Sequence, residues 1–411
     1  MDAEYFGEPY MKNGPIANDI ADTVYFEHKV ISHHLPDTHY AVRYTGHVIP
    51  DETTDFRFFV SGNYAHKLFI DGNLVIDNWL AGRDGEDFAV ARLQKNKKHK
   101  VVLEYYRVYG RTPIIRFGYM KDNAYLAEKQ SVYDKALRLA ENADMVVLCA
   151  GFTSYFETEG TDRTFEMPLE QDKLINDVST VNKNLVVTIT AGGNVAMDSW
   201  VDNVPALVHT WYPGQEGGRV LAEILAGDIN PSGKIPASFE RKWEDNACYN
   251  SYYDNDGDMA VQYSEGIFLG YRHFDKPGAP KPLFPFGHGL SYTTFTYSNM
   301  HVSSKGNFND RVKVSCTISN SGKVNGAEVV QLYVRDEESS LPRPEKELKG
   351  FDKVFLKAGE EKVVEFLLDQ SAFSFYDPKA ENWVAEPGKF NILIGSSSAD
   401  IKLEHTLDMI K

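Results

Sequence analysis

The sequence has few cysteines, no long apolar run and a deficit of positive charge. Its three cysteines lie far apart and match no usual spacing of metal ligands. No apolar run approaches the roughly 20 residues that a transmembrane helix needs. The formal net charge of −16 opposes the phosphate backbone of nucleic acids, and no dense Lys/Arg cluster offsets it. These features argue against a cysteine-based metal site, a membrane-spanning helix and a nucleic-acid partner.

The length and composition favour a multi-domain, β-rich protein. A chain of 411 residues suits two or three domains of about 100–200 residues each. Its 23 tyrosines and 24 phenylalanines favour strands and could also stack on sugar rings. Cys149 follows the apolar run 145–148, which predicts a buried thiol. The N-terminus resembles no signal peptide, and the cellular compartment stays open.

Residues 1–122 have the pattern of an all-β domain. Apolar and polar residues alternate in 40–44 and 55–60, and Asp71-Gly72 supplies the turn of a hairpin over 67–77. The segments 100–106 and 113–119 are expected to form another strand pair. Several short strands separated by turn signals predict a β-sandwich or barrel.

The pattern changes to alternating strands and helices over residues 123–296. The predicted helices cover about 131–142, a stretch opened by Pro168, and about 216–226. The predicted strands cover 144–151, which is expected to be buried, 185–190 and 206–211. This alternation predicts an α/β sandwich domain with a mainly parallel sheet covered on both faces.

Residues 297–411 return to strand periodicity. The clearest alternating segments are 312–318, 328–334, 362–366 and 390–394. They predict an immunoglobulin-like β-sandwich of about 100 residues. The predicted order is therefore β-sandwich, α/β sandwich and β-sandwich.

The most distinctive segment for chemistry is the acidic stretch 156–163. It contains Glu157, Glu159 and the pair Asp162-Arg163, and it follows a predicted strand where α/β sheets bind ligands. A carboxylic acid that keeps its proton near neutral pH can protonate a glycosidic oxygen. The alternative is a solvated acidic loop in which Asp162 or Arg163 only braces the next helix.

The core Glu159-Gly160-Thr161-Asp162-Arg163 resembles the acid/base loop of glycoside hydrolase family 3, in particular its β-glucosidases. The resemblance implies that Glu159 is the catalytic acid/base, with Glu157 as the second choice. Asp162 and Arg163 match the pair that holds the shape of this loop. Further similar segments follow in the same order at 211–218, 227–236, 263–272 and 284–292.

The flanking domains also resemble parts of this family. Residues 1–122, through 71–72 and 75–79, are similar to the protective-antigen-like β-sandwich that some members carry as an insert. Trp79 could stack on a sugar in the substrate site or could be a buried core residue. The C-terminal part resembles the fibronectin type III-like domain of these enzymes.

The resemblance implies a retaining hydrolysis of β-linked glucose, without a metal or organic cofactor. The nucleophile of the family is an aspartate on a (β/α)₈ barrel, and this sequence contains no such barrel. The first strands of the α/β domain are also missing, so a fragment or half of a split enzyme is expected. Such a chain would be inactive without a barrel polypeptide in trans. β-Xylosides are a second choice of substrate.

Two other functions are weighed against glycoside hydrolysis. A non-catalytic carbohydrate-binding or scaffold protein would have no need for an acid/base loop. A serine hydrolase using Ser154 or Ser199 lacks the Gly-x-Ser-x-Gly elbow.

Overall fold

The computed structural model describes residues 1–27, 31–36, 39–79, 85–107, 113–159, 162–303 and 306–410. The chain divides into two compact units. The first unit comprises Met1–Leu148, Phe152–Arg163 and Asp177–Val186, and the second unit comprises Cys149–Gly151, Thr164–Asn176 and Val187–Lys411. The division into domains at 122/123 and 296/297 stays a prediction.

Ten antiparallel strands form a β-sandwich in the first unit. In chain order they are β1 (Asp2–Phe6), β2 (Ala17–Ile20), β3 (Tyr25–Glu27), β4 (Tyr40–Val48), β5 (Thr54–Gly62), β6 (His66–Ile70), β7 (Asn73–Asn78), β8 (Gly85–Leu93), β9 (His99–Arg107) and β10 (Ile114–Lys121). One sheet has the order β2-β1-β4-β9-β6-β7 and the other β3-β10-β5-β8. The apolar core of this sandwich includes Tyr44, Phe58, Leu68 and Leu103, all fully buried. Alternating side chains of the strands supply this core.

The predicted hairpin is confirmed, but the next predicted strand pair is wrong. Asp71 and Gly72 join β6 to β7 with φ angles of 50° and 84°, the left-handed region that such a turn requires. By contrast, β9 pairs with β4 and β6, whereas β10 pairs with β3 and β5. Strands that follow each other in a sandwich can lie in different sheets, and β9 and β10 do so here.

The first helix begins earlier than the sequence suggested. Helix α1 covers Asp122–Glu141 and follows β10 directly, whereas the apolar pattern predicted a start near Ser131. The Arg57 guanidinium is 2.7 Å from the Asp122 carboxylate at the first turn. An acidic residue at that position also interacts favourably with the helix dipole. The first residues of α1 have no strong apolar periodicity, so the apolar pattern of the sequence did not reveal this earlier start.

A three-stranded sheet contains β11 (Val146–Gly151), β12 (Leu185–Thr190) and β13 (Ala206–His209), in that order. Among the residues that the structure describes, the other α-helices are α2 (Gln171–Val181), α3 (Gly217–Ala226) and the short α4 (Tyr271–Phe274). Helix α2 starts after Pro168, and α3 matches its predicted bounds closely.

The prediction of a buried β11 with a buried Cys149 is wrong. Residues of β11 alternate between half-buried and exposed, and the Cys149 thiol is exposed. Val147, on the same face, has 44% of its surface exposed. The strand is at the edge of its sheet, and this face stays partly open to solvent in the described part of the chain. The central β12 is buried as predicted, with Val187 and Ile189 fully enclosed.

The last part of the second unit is another β-sandwich. Its strands are β14 (Phe295–Ser303), β15 (Val312–Asn320), β16 (Gly326–Asp336), β17 (Glu347–Leu356), β18 (Glu361–Leu368), β19 (Phe375–Asp377), β20 (Asn382–Val384), β21 (Gly388–Ser397) and β22 (Asp400–Met409). The main sheets have the orders β14-β15-β18 and β17-β16-β21-β22, and β19 pairs with β20. All four strands predicted in this region are present. Together with the other sheets and the helices, they form the mixed multi-domain fold that the sequence predicts.

Candidate active site

The predicted acid/base loop follows β11 and is described over residues 152–159 and 162–163. Gly160 and Thr161, the central part of the family-like motif, lie outside the described residues. The backbone N–H groups of Phe156 and Glu157 both donate to the Thr153 carbonyl, at 2.9 and 3.0 Å. These bonds form a tight turn immediately before the two candidate glutamates.

Glu157 is held by an ion pair within the loop. The Nε of Arg163 is 2.9 Å from Oε1 of Glu157, and only 16% and 20% of the two side chains are exposed. The Arg163 guanidinium also lies 4.5 Å from the centre of the Phe152 ring, a distance typical of a cation–π contact. Arg163 therefore connects the end of the loop to its beginning. This arrangement suits the loop-supporting role predicted for Arg163.

Glu159 has a different environment. Its side chain is exposed, and among the described residues it makes no hydrogen bond or ion pair. Asp162 is also exposed. Of the two candidate glutamates, Glu159 is therefore the one whose carboxyl group is open to an incoming molecule. Its role as acid/base stays a prediction.

Trp79 is half-buried at the end of β7, so its interpretation as a buried core tryptophan is wrong. The centre of the Trp79 ring is 5.5 Å from the centre of the Tyr106 ring. The Lys67 ammonium lies 5.3 Å from the same centre of the Trp79 ring. The residue stands at the strand end, beyond the closed core, and it keeps part of its surface in contact with solvent. A role in sugar binding stays a prediction.

Sequence reasoning missed two polar groups. Tyr155 in the acid/base loop donates a hydrogen bond to Oδ1 of Asp87 at 3.0 Å, although no local pattern links residues so far apart. Asp254, Asp256 and Asp258 are exposed, and one carboxylate oxygen of each lies within 4.8 Å of the others. Their alternate spacing was the signal for that cluster.

None of the helices in the described part of the chain is long and apolar enough to cross a membrane.

Two protein-family models match this chain. The model of the glycosyl hydrolase family 3 C-terminal domain matches residues 60–292, more than half of the chain. The chain belongs to glycoside hydrolase family 3. The fibronectin type III-like domain matches residues 328–398, within the C-terminal β-sandwich. The resemblance deduced from the acid/base loop and the later segments is thereby confirmed.

The curated relatives of this family 3 chain include bacterial β-glucosidases. The thermostable β-glucosidase B of Acetivibrio thermocellus is 44% identical over 292 residues, which cover 71% of this chain and 38% of that protein. β-Glucosidase BoGH3A of Bacteroides ovatus is 43% identical over 289 residues, covering 68% of this chain and 38% of that protein. The chain thus spans less than half the length of these two relatives.

A solved structure matches the whole chain. The β-glucosidase of Kluyveromyces marxianus in complex with glucose has a TM-score of 0.72 and 29% identity, and the match covers 100% of this chain and 49% of that chain. Its length also exceeds that of the present chain about twofold. This family 3 chain is therefore similar to β-glucosidases both in sequence and in fold.

Proposed function

We propose that this chain supplies the acid/base part of a retaining β-glucosidase, with Glu159 as the proton donor. The main support is the difference between the two glutamates of the loop. Glu157 is paired with Arg163, whereas Glu159 is exposed and unpaired among the described residues. The β-glucosidase relatives, one of them solved with glucose, support a β-glucoside as the substrate.

The reaction needs a second carboxylate from polypeptide outside these 411 residues. An aspartate on a (β/α)₈ barrel attacks the anomeric carbon, while Glu159 gives its proton to the departing glycosidic oxygen. Glu159 then takes a proton from water, whose oxygen replaces the aspartate on the sugar. Retaining enzymes hold the two carboxyl groups about 5–5.5 Å apart. Neither step requires a metal or an organic cofactor.

Exposed apolar side chains support the expectation that further polypeptide covers this chain. Large apolar residues that are exposed include Leu126, Val132 and Leu139 in α1, Met145 just before β11 and Val147 within it. Val132 and Leu139 lie two turns apart on one face of α1, and exposed apolar side chains that share a face often mark protein contacts. A barrel on a longer form of the same chain or on a partner chain would provide the cover and the nucleophile.

The test compares the chain alone with the chain completed by a family 3 barrel. On 4-nitrophenyl β-glucoside the chain alone should show activity near background. In the completed enzyme, Glu159→Gln should lower kcat/KM for alkyl β-glucosides by about 10²–10⁴-fold, because their leaving groups need a proton and general acid–base catalysis contributes that much. The matched variant Glu141→Gln, at an exposed position of α1, should leave activity unchanged.

Several results would contradict the proposal. Full activity of Glu159→Gln would remove the assigned proton donor, and a large loss in Glu157→Gln alone would transfer the role to Glu157. Strong turnover by the chain alone would show that no second carboxylate is needed from outside. Glucose binding by the chain alone that survives Glu159→Ala, without activity in the completed enzyme, would favour a carbohydrate-binding or scaffold role.

A further inference from the structure

A partly buried carboxylate joins the two sheets of the first β-sandwich. Oδ2 of Asp87, on β8, lies 2.8 Å from Nε2 of His66 and accepts a hydrogen bond from Nδ2 of Asn78 at 2.8 Å. His66 is on β6 and Asn78 ends β7, both in the six-stranded sheet, whereas β8 belongs to the four-stranded sheet. The His66 ring is fully buried, and its Nδ1 is 3.0 Å from the Tyr64 carbonyl. The orientation of this carboxylate is therefore set from within the sandwich.

The remaining oxygen of Asp87 faces the acid/base loop. The Tyr155 hydroxyl donates to Oδ1 at 3.0 Å. Burial alone would raise the pKa of Asp87, but hydrogen bonds from His66, Asn78 and Tyr155 and the charge of His66 hold this pKa below its ordinary value. The acceptor is thus ionised at neutral pH, and a hydrogen bond to an ionised group is stronger than one between neutral groups.

A second contact holds the same tyrosine from the same strand. Gly85 lies two residues before Asp87, so both residues are on one face of β8. A Cβ atom added at Gly85 would lie 1.7 Å from Cδ2 of the Tyr155 ring. The ring therefore lies directly on the backbone of this glycine. One face of β8 contacts both the ring and the hydroxyl of Tyr155.

Tyr155 lies inside the turn that precedes the catalytic candidates. The Thr153 carbonyl, before Tyr155, accepts hydrogen bonds from the backbone N–H groups of Phe156 and Glu157, after it, and Glu159 follows four residues after Tyr155. We infer that the first β-sandwich positions the acid/base loop through Tyr155, with Gly85 and Asp87 as positioning residues. The anchor is inferred from these contacts, whereas its effect on catalysis rests on the proposed function of Glu159.

Hydrogen exchange of the 411-residue chain tests the anchor without any activity. Tyr155→Phe removes the hydroxyl but keeps the ring on Gly85, and Gly85→Ala displaces the ring. In both variants the amides of Phe156 and Glu157 should exchange about tenfold faster or more, since a hydrogen bond to a charged group is lost or distorted. The controls are Tyr119→Phe and Gly118→Ala, because Tyr119 is exposed and the position of Gly118 has open space for a methyl group.

The exchange result decides the anchor in either direction. Amides of β4 and β9 report whether the sandwich of each variant is still folded. If Gly85→Ala unfolds the sandwich, Tyr155→Phe alone decides. Unchanged exchange at Phe156 and Glu157 in a folded Tyr155→Phe variant would overturn the anchor, whatever the chain catalyses.

The leaving-group dependence of the completed enzyme tests the catalytic consequence. A displacement of about 1 Å in a catalytic group can cost up to about 100-fold in rate. Tyr155→Phe should lower kcat/KM about tenfold for alkyl β-glucosides, whose leaving groups need a proton. It should change kcat/KM little for 2,4-dinitrophenyl β-glucoside, whose leaving group departs as an anion. A merely structural loss would lower both values equally, and that result would contradict a positioning role.

This design separates the inference from the proposed function. If Glu159→Gln keeps full activity, the proposed function fails, and the exchange rates still decide the anchor. If Glu159→Gln abolishes turnover of alkyl β-glucosides but Tyr155→Phe leaves both substrates unaffected, the positioning inference fails while the proposed function stands.

Discussion

Arg343 offers a quantitative test of the forces that hold the C-terminal β-sandwich together. Its two guanidinium nitrogens lie 2.8 Å from Asp336 and 2.7 Å from Glu347. Only 7% of the arginine side chain and 2% of the aspartate side chain are exposed. Arg343 also donates to the Phe373 carbonyl at 3.2 Å. The guanidinium is therefore surrounded by acceptors that have little access to water.

Removing the guanidinium should be costly because it leaves a buried carboxylate without its cation. Glu347 would keep Arg272 at 3.1 Å, but Asp336 would lose the ion pair that compensates its burial. Burial raises the pKa of Asp336, while Arg343 acts to lower it. Removing one partner of a buried ion pair typically costs about 3–5 kcal/mol of stability. Arg343→Ala should therefore lower the free energy of unfolding of this β-sandwich by about that amount.

Arg335→Ala, in β16 of the same β-sandwich, is the matched control. Arg335 lies 2.9 Å from Glu345, but 30% and 47% of these side chains are exposed. An ion pair so open to water should contribute about 0–1 kcal/mol. Hydrogen exchange of the β16 and β21 amides measures the opening free energy of this sandwich separately from the rest of the chain.

The contrast between the two variants decides whether the reasoning holds. A loss below about 1 kcal/mol in Arg343→Ala, or equal losses in both variants, would refute the argument from burial. Replacing Arg343 by methionine together with Asp336→Leu should recover most of the loss, because neither charge of that pair then remains buried.

Two further predictions concern local environments in the two units. Cys149 should react rapidly with a thiol reagent and Cys316 slowly, because Cys316 is buried and burial raises its pKa to about 11; loss of the fast phase in Cys149→Ser checks the assignment. The hydrogen bond from His99 holds the pKa of Asp71 below its ordinary 3.8, so its stabilisation is present above that pH and is lost as the pH falls through the lowered pKa. Urea midpoints should therefore fall less on acidification in Asp71→Asn than in the wild-type chain or in Asp77→Asn, and an equal fall in all three would contradict this.

Local patterns predicted much of the fold because they act within a few residues. The Asp71-Gly72 turn needs positive φ angles that this pair adopts readily, and the structure has both. Strand β18 alternates between the buried side chains of Val364, Phe366 and Leu368 and exposed neighbours, so the alternating sequence over 362–366 already shows which face is buried.

Features that depend on distant parts of the chain were not predictable. The apolar sequence of β11 predicts a buried strand. Whether the Cys149 thiol is buried depends, however, on which distant residues pack against that face of the edge strand. Likewise, the strands β9 and β10 are neighbours in sequence but pair with different partners. The Asp87–Tyr155 bond joins residues 68 positions apart, a separation without any sequence signal.

The candidate site combines two requirements that oppose each other. A general acid must be open to its substrate, yet it must stay within hydrogen-bond reach of the leaving oxygen. In the first unit two interactions hold the loop. One is the ion pair of Arg163 with Glu157, and the other is the hydrogen bond from Tyr155 to Asp87. Both interactions precede or flank Glu159 without contacting it. The neighbouring side chains can therefore restrict the backbone while the carboxyl group of Glu159 itself stays exposed, and this is why substitutions at Tyr155 and at Glu159 should have different kinetic signatures.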